Sequence, residues 1–319
     1  MPRPENSIAR RDLLKKSLLG ATTLVSASAL TLSGEQKRKT HPVRLGGPVF
    51  EKFDNPDAWT QAVRKLGYSA AYCPIGPDAA DDVVETYAKA AKQANIVIAE
   101  VGAWSNPISP DEKTRKDALA KCRSHLALAD RIAANCCVNI TGSRGSQWDG
   151  PSPENFTKET FDIIVETTRA IIDDVKPTRT YFTLETMPWA YPDSPDSYLQ
   201  LLKAIDRKRF AVHLDPVNLV CSPQRYFATG RLIRECFEKL GPHIKSCHAK
   251  DIILRNELTT HLDEIRPGLG GLDYEAFLTE LSRLPDMPLM LEHLAGPEEY
   301  RLAAEHIRSV AKKIAVRFV

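Results

Sequence analysis

The feature that most constrains the fold is an alternation of short apolar segments with longer amphipathic ones, running from Val43 to the end of the chain. Short runs rich in β-branched and aromatic residues indicate strands, and apolar positions at helical spacing indicate helices. The predicted strands are Val43–Phe50, Tyr68–Ile75, Ile96–Trp104, Cys136–Thr141, Thr180–Met187, Phe210–Pro216, Ile244–Ile252 and Pro288–Leu294. The predicted helices are Pro56–Leu66, Ala79–Ala94, Pro110–Ala133, Lys158–Val175, Pro195–Ile205, Arg225–Leu240, Tyr274–Leu284 and Glu298–Val316.

This alternation predicts parallel strands, because each strand is followed by a helix that returns the chain to the same end of the sheet. Eight such units predict a single α/β domain, a (β/α)8 barrel over residues 41–319. The alternative is a doubly wound open sheet, which usually has a glycine-rich phosphate turn after its first strand. The turn Leu45-Gly46-Gly47-Pro48 is a poor version of that motif, so we expect the barrel, with its chemistry at the carboxyl ends of the strands.

The first 40 residues resemble an export signal rather than part of the fold. Arg10-Arg11 forms a twin-arginine pattern, the apolar run Leu18–Leu32 follows, and Ala27-Ser28-Ala29 fits a cleavage site. The run is too short and too rich in Ser and Thr for a permanent membrane span. We therefore expect a twin-arginine signal peptide and spacer, a periplasmic or extracytoplasmic protein and no stable membrane insertion; a basic amphipathic helix is the alternative.

Composition narrows the classes of partner. A net charge of +2 over 319 residues gives no electrostatic case for binding nucleic acid. Seven cysteines without CxxC spacing argue against a disulfide framework and fit small buried side chains. We expect a small-molecule substrate, and a homo-oligomer remains open.

Four successive predicted strands carry an ionisable side chain within an apolar run near their carboxyl ends. These side chains are Glu185, Asp215, His248 and Glu292. In a closed barrel they converge on one point, and three carboxylates with one imidazole suit a divalent ion. We expect Mn²⁺, with Mg²⁺, Co²⁺ and Zn²⁺ as alternatives. A single carboxylate at a strand end is usually a helix cap or an ion-pair partner, but four in register are hard to obtain by chance.

Neighbouring residues are candidates for substrate binding. His213 shares the inward face with Asp215 and either binds substrate or is a buried hydrogen-bonding histidine; Lys250 either polarises a substrate oxygen or pairs with Asp251. The substrate-binding candidates are His213, Lys250, Asn218, Trp104 and Trp189. The two tryptophans would stack on a sugar face or simply pack at the barrel mouth.

Four further residues receive a local interpretation. Arg144 and Trp148, in the polar loop 142–157, are predicted to form a lid. His293 should point away from Glu292 and pack outward if the strand alternation continues, and Asp273 reads as a helix N-cap.

The metal set resembles that of the xylose isomerase-like TIM-barrel superfamily, and more narrowly the sugar phosphate isomerase/epimerase group with tagatose and psicose 3-epimerases, inosose dehydratase and hydroxypyruvate isomerase. The strings His248-Ala249-Lys250-Asp251 and Leu214-Asp215-Pro216-Val217-Asn218 look like that group's metal-strand signatures. The turn from Pro267 to Tyr274 resembles its lead-in to the eighth unit. The resemblance implies that Glu185 and Glu292 are catalytic and exchange a proton beside the carbonyl of a keto sugar or polyol.

The chain departs from the ketose epimerases at two positions. They carry a His three residues after the metal-binding Asp and a second Glu six residues after the first, where this chain has Asn218 and Tyr191. A lyase or hydratase that eliminates from a 3-keto-glycoside by the same proton abstraction is therefore an alternative. An endonuclease IV-like hydrolase would need more His ligands than these strands provide, and a non-catalytic sugar-binding barrel is the remaining alternative.

Overall fold

The computed structural model describes residues 40–319, and its centre is a closed barrel of eight parallel strands. The barrel strands are β1 (Arg44–Gly47), β2 (Ala70–Tyr72), β3 (Val97–Gly102), β4 (Cys136–Asn139), β5 (Tyr181–Glu185), β6 (Phe210–Leu214), β7 (Ile244–Ala249) and β10 (Pro288–Leu291). Their order is β1-β10-β7-β6-β5-β4-β3-β2, and β1 pairs with β2 to close the ring. The predicted (β/α)8 barrel is confirmed, and the open-sheet alternative is wrong.

Helices surround the barrel in the order that the sequence predicts. They are α1 (Pro56–Lys65), α2 (Asp81–Gln93), α3 (Glu112–Ile132), α4 (Lys158–Val175), α5 (Pro195–Ile205), α6 (Pro223–Tyr226), α7 (Thr229–Leu240), α8 (Tyr274–Leu281) and α9 (Pro297–Lys313). Several begin at a side-chain cap, as where the predicted cap Asp273 accepts a hydrogen bond from the Ala276 backbone N–H at 2.9 Å. Such caps satisfy amides that the first helical turn leaves unpaired and so fix where each helix begins.

One predicted helix and one predicted strand are each divided in two. The helix predicted over Arg225–Leu240 is interrupted at Phe227 and Ala228, between α6 and α7. The strand predicted over Ile244–Ile252 ends at Ala249, and the next strand, β8 (Asp251–Leu254), leaves the barrel to pair antiparallel with β9 (Leu262–Ile265).

Asp251 explains why this strand divides. Its carboxylate accepts backbone hydrogen bonds from Ile252, Gly268, Gly270 and Leu272, at 2.9 to 3.1 Å. These bonds tie the base of the β8–β9 hairpin to the turn before α8. Apolar residues on both sides of Asp251 make this segment look like one continuous strand in the sequence. The turn cannot be predicted from that pattern, because the partners that stabilise it are distant in sequence.

The core has two layers, one between the barrel and the helices and one inside the barrel. Large side chains such as Trp59, Phe182 and Phe277 fill the outer layer. The inner layer is made of small side chains and Met290. At Gly46 a Cβ atom would lie 2.5 Å from the Ala70 carbonyl oxygen, so glycine is required where the strands approach closely.

Two expectations concern the membrane and the export signal. Within residues 40–319, no helix combines the length and the apolar character needed to cross a bilayer. The predicted signal peptide lies outside the described residues, except for the final residue of its spacer.

Candidate metal centre

The four predicted ligands come from four neighbouring barrel strands. Glu185 is the last residue of β5, His248 lies in β7, and Asp215 and Glu292 directly follow β6 and β10. Because β5, β6, β7 and β10 are adjacent in the barrel, their carboxyl ends bring these side chains to one place. Each residue offers one ligand atom, and the four atoms all lie within 4.8 Å of one another.

The imidazole of His248 lies at the centre of this cluster. Its Nδ1 atom is 3.0 Å from Glu185 Oε1, 2.8 Å from Glu292 Oε1 and 3.9 Å from Asp215 Oδ2. Ligands about 2.1 Å from one octahedral ion are separated by about 3 Å when adjacent and about 4 Å when opposite. The separations around His248 match those of donors that share one ion, and the two shorter ones equally match hydrogen bonds of the ring.

Two buried oxygen atoms support this fit. Asp215 Oδ2 and Glu292 Oε1 make no hydrogen bond of good geometry, although the ammonium of Lys250 lies 2.8 and 2.7 Å from them. The ammonium offsets the charge of these buried oxygens, but their hydrogen-bonding capacity is left unused. Together with an exclusively oxygen and nitrogen donor set, this arrangement fits a divalent cation, although the ligand role of the four residues stays a prediction.

The protein's own charges shift the pKa values of these groups strongly. Burial raises the pKa of Asp215 to about 6, against the lowering effect of Lys250. Burial opposes ionisation of Glu185 and Glu292 as well, but the positive charge of His248 outweighs it and lowers both pKa values. The centre thus favours ionised glutamates, the form that binds a cation or accepts a proton.

Lys250 neutralises part of the negative charge at the centre. Besides Asp215 and Glu292, its Nζ atom lies 3.8 Å from Glu185 Oε1 and 3.6 Å from Glu264 Oε2. The predicted alternative, a pair with Asp251, is not formed, because the Asp251 carboxylate is occupied by backbone amides. Lys250 also lines the cavity above the centre, so its predicted contact with substrate remains open to test.

A carboxylate that the sequence interpretation missed lies beneath the four predicted ligands. Glu100, on β3, is 1% exposed, and its Oε2 lies 3.2 Å from His248 Nε2. Its other oxygen contacts His213 Nε2 at 2.9 Å and accepts a hydrogen bond from the Ser246 hydroxyl. A carboxylate on the far nitrogen of a ligand histidine orients the ring and raises its basicity. The missed signal was a single Glu inside the apolar run Ile96–Trp104.

His213 belongs to this lower layer. It is completely buried, hydrogen-bonds to Glu100, and packs edge-on against His248 with ring centroids 4.1 Å apart. It does not line the cavity. The structure thus supports the buried hydrogen-bonding alternative for His213 rather than substrate binding, because its ring is enclosed and bonded to Glu100 below the cavity.

A cavity of about 740 Å³ opens above the centre. Glu185, Glu292 and Lys250 form its floor, and the predicted stacking residues Trp104 and Trp189 form part of its walls. Trp148 lines it too, and the lid role of its loop stays a prediction. Arg144 is not among the lining residues and instead donates a hydrogen bond to the Ile108 carbonyl oxygen at 2.7 Å.

The predicted outward position of His293 is wrong. Strand β10 ends at Leu291, and His293 has a left-handed φ of +58°, so strand alternation no longer governs its direction. Its side chain lines the cavity, and its Nδ1 lies 3.2 Å from Glu264 Oε1.

The two positions that depart from the ketose epimerases have clear local roles. Asn218 Nδ2 donates to Glu185 Oε1 at 3.2 Å and to the Thr186 carbonyl oxygen at 3.0 Å, which orients Glu185. Tyr191 donates its hydroxyl hydrogen to the Phe156 carbonyl oxygen and does not line the cavity. The cavity is therefore lined by an amide at the first position and by no group from the second.

Comparison with known proteins identifies the family. Residues 60–310 match the model of the xylose isomerase-like TIM barrel, and the chain belongs to this family. The fold and the family together support an enzyme in general. A search of curated proteins gave no match.

Solved structures with the same fold include an epimerase, a dehydratase and a magnesium-bound protein. D-psicose 3-epimerase from Clostridium cellulolyticum H10, solved with D-tagatose, is 15% identical with a TM-score of 0.62, over 85% of this chain and 99% of that one. The probable 3-DHS dehydratase of Bacillus anthracis is 16% identical with a TM-score of 0.61, over 84% and 98%. A xylose isomerase-like TIM barrel protein from Mycobacterium smegmatis in complex with magnesium is 16% identical with a TM-score of 0.58, over 86% and 97%. At these identities the likeness shows the fold alone.

Proposed function

We propose that this protein is a divalent-metal-dependent sugar isomerase or epimerase-like enzyme that abstracts a proton beside the carbonyl of a keto sugar or polyol. The observation that carries the proposal is the placement of Glu185 and Glu292. Both line the cavity, and both have a carboxylate oxygen within 3.0 Å of the same imidazole nitrogen of His248. They form a pair of carboxylates at the floor of the cavity.

Each residue of the centre has a separate role in the proposed reaction. A divalent ion held by Glu185, Asp215, His248 and Glu292 would polarise the substrate carbonyl. Glu185 takes the proton from the adjacent carbon. For epimerisation, Glu292 takes up a proton from solvent and gives it to the opposite face of the same carbon. For isomerisation, Glu185 gives its proton to the former carbonyl carbon, and Glu292 carries the proton of the neighbouring hydroxyl to the former carbonyl oxygen. Asn218 holds Glu185 in position, and Lys250 offsets the charge of the carboxylates.

Elimination from a keto-glycoside is a second candidate. The same proton removal by Glu185 would be followed by breakage of the bond from the next carbon to its oxygen, and that oxygen would leave as an alcohol or water with the proton now on Glu185 or with one that Glu292 has taken from solvent. The positions occupied by Asn218 and Tyr191 favour this candidate, because they lack the groups that the ketose epimerases use at the sugar hydroxyls.

Metal content and proton exchange test the proposal together. We expect one divalent ion per chain by elemental analysis, lost in His248→Ala. With Mn²⁺ in D₂O, we expect NMR to show deuterium entering a keto sugar beside its carbonyl, abolished in Glu185→Gln. Glu280→Gln, a buried glutamate of α8 outside the centre, is the matched control and should retain both.

The outcomes separate the candidates. Exchange with an inverted or transposed product indicates isomerisation, and release of the leaving alcohol with an unsaturated product indicates elimination. A protein that binds no divalent ion, or that exchanges no proton on ketohexoses and 3-keto-glycosides, would contradict the proposal.

Export is a separate proposal. It rests on the Arg10-Arg11 pattern, the apolar run that follows it and the Ala27-Ser28-Ala29 site, and it predicts that replacing both arginines by lysine keeps the protein inside the cell. Unchanged secretion of that variant would refute it.

A further inference from the structure

The cavity above the centre adjoins a second space on the outside of the barrel mouth. This outer groove has a volume of about 440 Å³ and lies along the first half of helix α3. Trp104 and Trp148 line both the cavity and the outer groove. The two spaces therefore meet at a pair of indole rings, which are 37% and 41% exposed.

The size of the cavity already exceeds what one sugar ring fills. Cavities of about 300–1,000 Å³ are typical of drug-sized ligands, and a hexose with about twelve non-hydrogen atoms is smaller than those. The cavity measures about 740 Å³ without the outer groove. A substrate that fills both spaces must carry a second ring.

The outer groove has the side chains that recognise a hydroxylated ring. Thr114, Asp117 and Lys121 supply a hydroxyl, a carboxylate and an ammonium along α3. The ammonium of Lys121 donates one hydrogen bond to the Trp104 carbonyl oxygen at 3.0 Å and has two further N–H groups for a ligand. An indole presents an apolar face to the C–H groups of a sugar, while polar side chains at its edge bind hydroxyls. Asp117 pairs with Lys113 at 2.7 Å in solvent, an exposed ion pair that costs little to exchange.

Both tryptophans are held in place. At Gly102 a Cβ atom would lie 2.4 Å from Trp104 Nε1, so the glycine lets the indole fold back over β3. The ring of Trp104 then lies with its centroid 6.4 Å from that of His248, between the metal centre and the outer groove. This placement connects the reacting end of a substrate to its second ring.

The loop that carries Trp148 is also anchored. Buried Asn155 donates hydrogen bonds to the carbonyl oxygens of Gly150 and Trp189, at 3.2 and 3.0 Å. The indole N–H of Trp189 donates to the Asp149 carbonyl oxygen at 2.6 Å. A binding surface that is fixed before the ligand arrives avoids part of the entropic cost of ordering it.

We propose that the outer groove is a subsite for the second sugar ring of a disaccharide-sized glycoside, whose other ring occupies the cavity above the metal centre. The inference deepens the proposed function and relies on it for the statement that the inner ring is the one that reacts. Trp104 and Trp148 contact the second ring, and Asp117 and Lys121 bind its hydroxyl groups.

Binding of carbonyl-free glycosides tests the subsite without requiring turnover. The probes are methyl β-glucoside, methyl β-cellobioside, methyl β-maltoside and 4-nitrophenyl β-glucoside, titrated into the Mn²⁺-loaded full chain by calorimetry and tryptophan fluorescence. We expect at least one disaccharide to bind about tenfold more tightly than methyl β-glucoside, as one or two stacked aromatic contacts would give.

Variants assign that preference to the groove. Trp148→Ala should reduce it to about twofold, and Gly102→Ala, which displaces the indole of Trp104, should reduce it as well. Phe227→Ala removes an exposed aromatic ring outside both spaces and is the matched control, for which the preference should be unchanged. Melting temperatures equal to that of the wild type would show that the variants remain folded.

Each result is decisive. Equal affinity for both disaccharides and methyl β-glucoside, or a preference that survives in both Trp148→Ala and Gly102→Ala, would overturn the proposal. Preference for 4-nitrophenyl β-glucoside alone would also overturn it and indicate an aromatic aglycone. Because none of these probes has a carbonyl, a failed subsite and a failed proton-exchange assay are distinguishable.

Discussion

The two halves of the barrel contribute different chemistry to the same cavity. Strands β1 to β4 place Pro48, Tyr72, Trp104 and Ile140 at the cavity wall, none of which carries a charge. Strands β5, β6, β7 and β10 instead supply carboxylates, an amide and an ammonium, as described above. Because all eight strands are parallel and in one ring, both sets face the same space.

This difference indicates a division between recognition and reaction. A wall of rings and aliphatic groups excludes water and accepts the apolar faces of a substrate. Most charged groups of the cavity, apart from Asp149 in the loop after β4, lie on the opposite wall, where they can act on one end of that substrate. Glu100 is the buried exception, because it comes from the first half and yet contacts His248 of the second.

The largest effect is expected from replacing the two glutamates in the second half of the barrel. Glu185→Gln and Glu292→Gln should each lower proton exchange by about 10²–10⁴-fold, because each removes a positioned acid or base. The double variant should be little slower than the slower single variant, since the two residues act as a unit. Exchange rates by NMR in D₂O measure this, and full additivity of the two losses in activation free energy would show that the glutamates act independently.

The next largest effect is expected at Glu100, the exception to this division. Glu100→Gln should weaken Mn²⁺ binding by about 10–100-fold, because the His248 ring loses the carboxylate that orients it and raises its basicity. Calorimetric titration with Mn²⁺ measures the loss, and the visible spectrum of the Co²⁺ form should shift. Glu280→Gln, at another buried glutamate, should change neither; equal Mn²⁺ affinity in Glu100→Gln and wild type would remove Glu100 from the metal centre.

A smaller effect is expected at Gly46, which lies at the seam between the halves, where β1 pairs with β10. Gly46→Ala would place a Cβ atom 2.5 Å from the Ala70 carbonyl oxygen and 2.6 Å from Met290 Sδ, where β1 meets β2 and β10. We expect a loss of about 1–3 kcal/mol in the free energy of unfolding, measured in urea. A Cβ at Gly76 meets nothing within 4 Å, so Gly76→Ala should leave stability nearly unchanged. A stable Gly46→Ala variant would mean that the seam can open to admit a methyl group.

The smallest expected effect is the loss of a helix N-cap, and it should be equal in the two halves. Asp111 caps α3 in the first half, and Asp273 caps α8 in the second, through hydrogen bonds of 2.7 and 2.9 Å to backbone amides. Replacing either by Ala should cost about 1 kcal/mol of unfolding free energy without changing Mn²⁺ affinity. A loss of metal binding in Asp273→Ala alone would show that the second half transmits local strain to the centre.

The sequence by itself determined the barrel and the convergence of four side chains. Strand and helix periods are local properties, and eight units in series leave few ways to close a parallel sheet. Once the barrel is accepted, a polar residue near the carboxyl end of a strand has only one region to occupy. Glu185, Asp215, His248 and Glu292 were therefore predictable as a group, although no ligand role follows from position alone.

Tertiary structure decided what lies beside and beneath that group. In the sequence, Glu100 is a single polar residue within an apolar strand. Its role depends on its contact with His248, which is 148 residues away in sequence. The turn at Asp251 and the direction of His293 likewise depend on partners or backbone angles that no local pattern encodes. The outer groove exists only because the loop carrying Trp148 meets Trp104. Periodicity depends on residues that are close in sequence, whereas these contacts join residues that are distant in sequence. Only the tertiary structure therefore shows them.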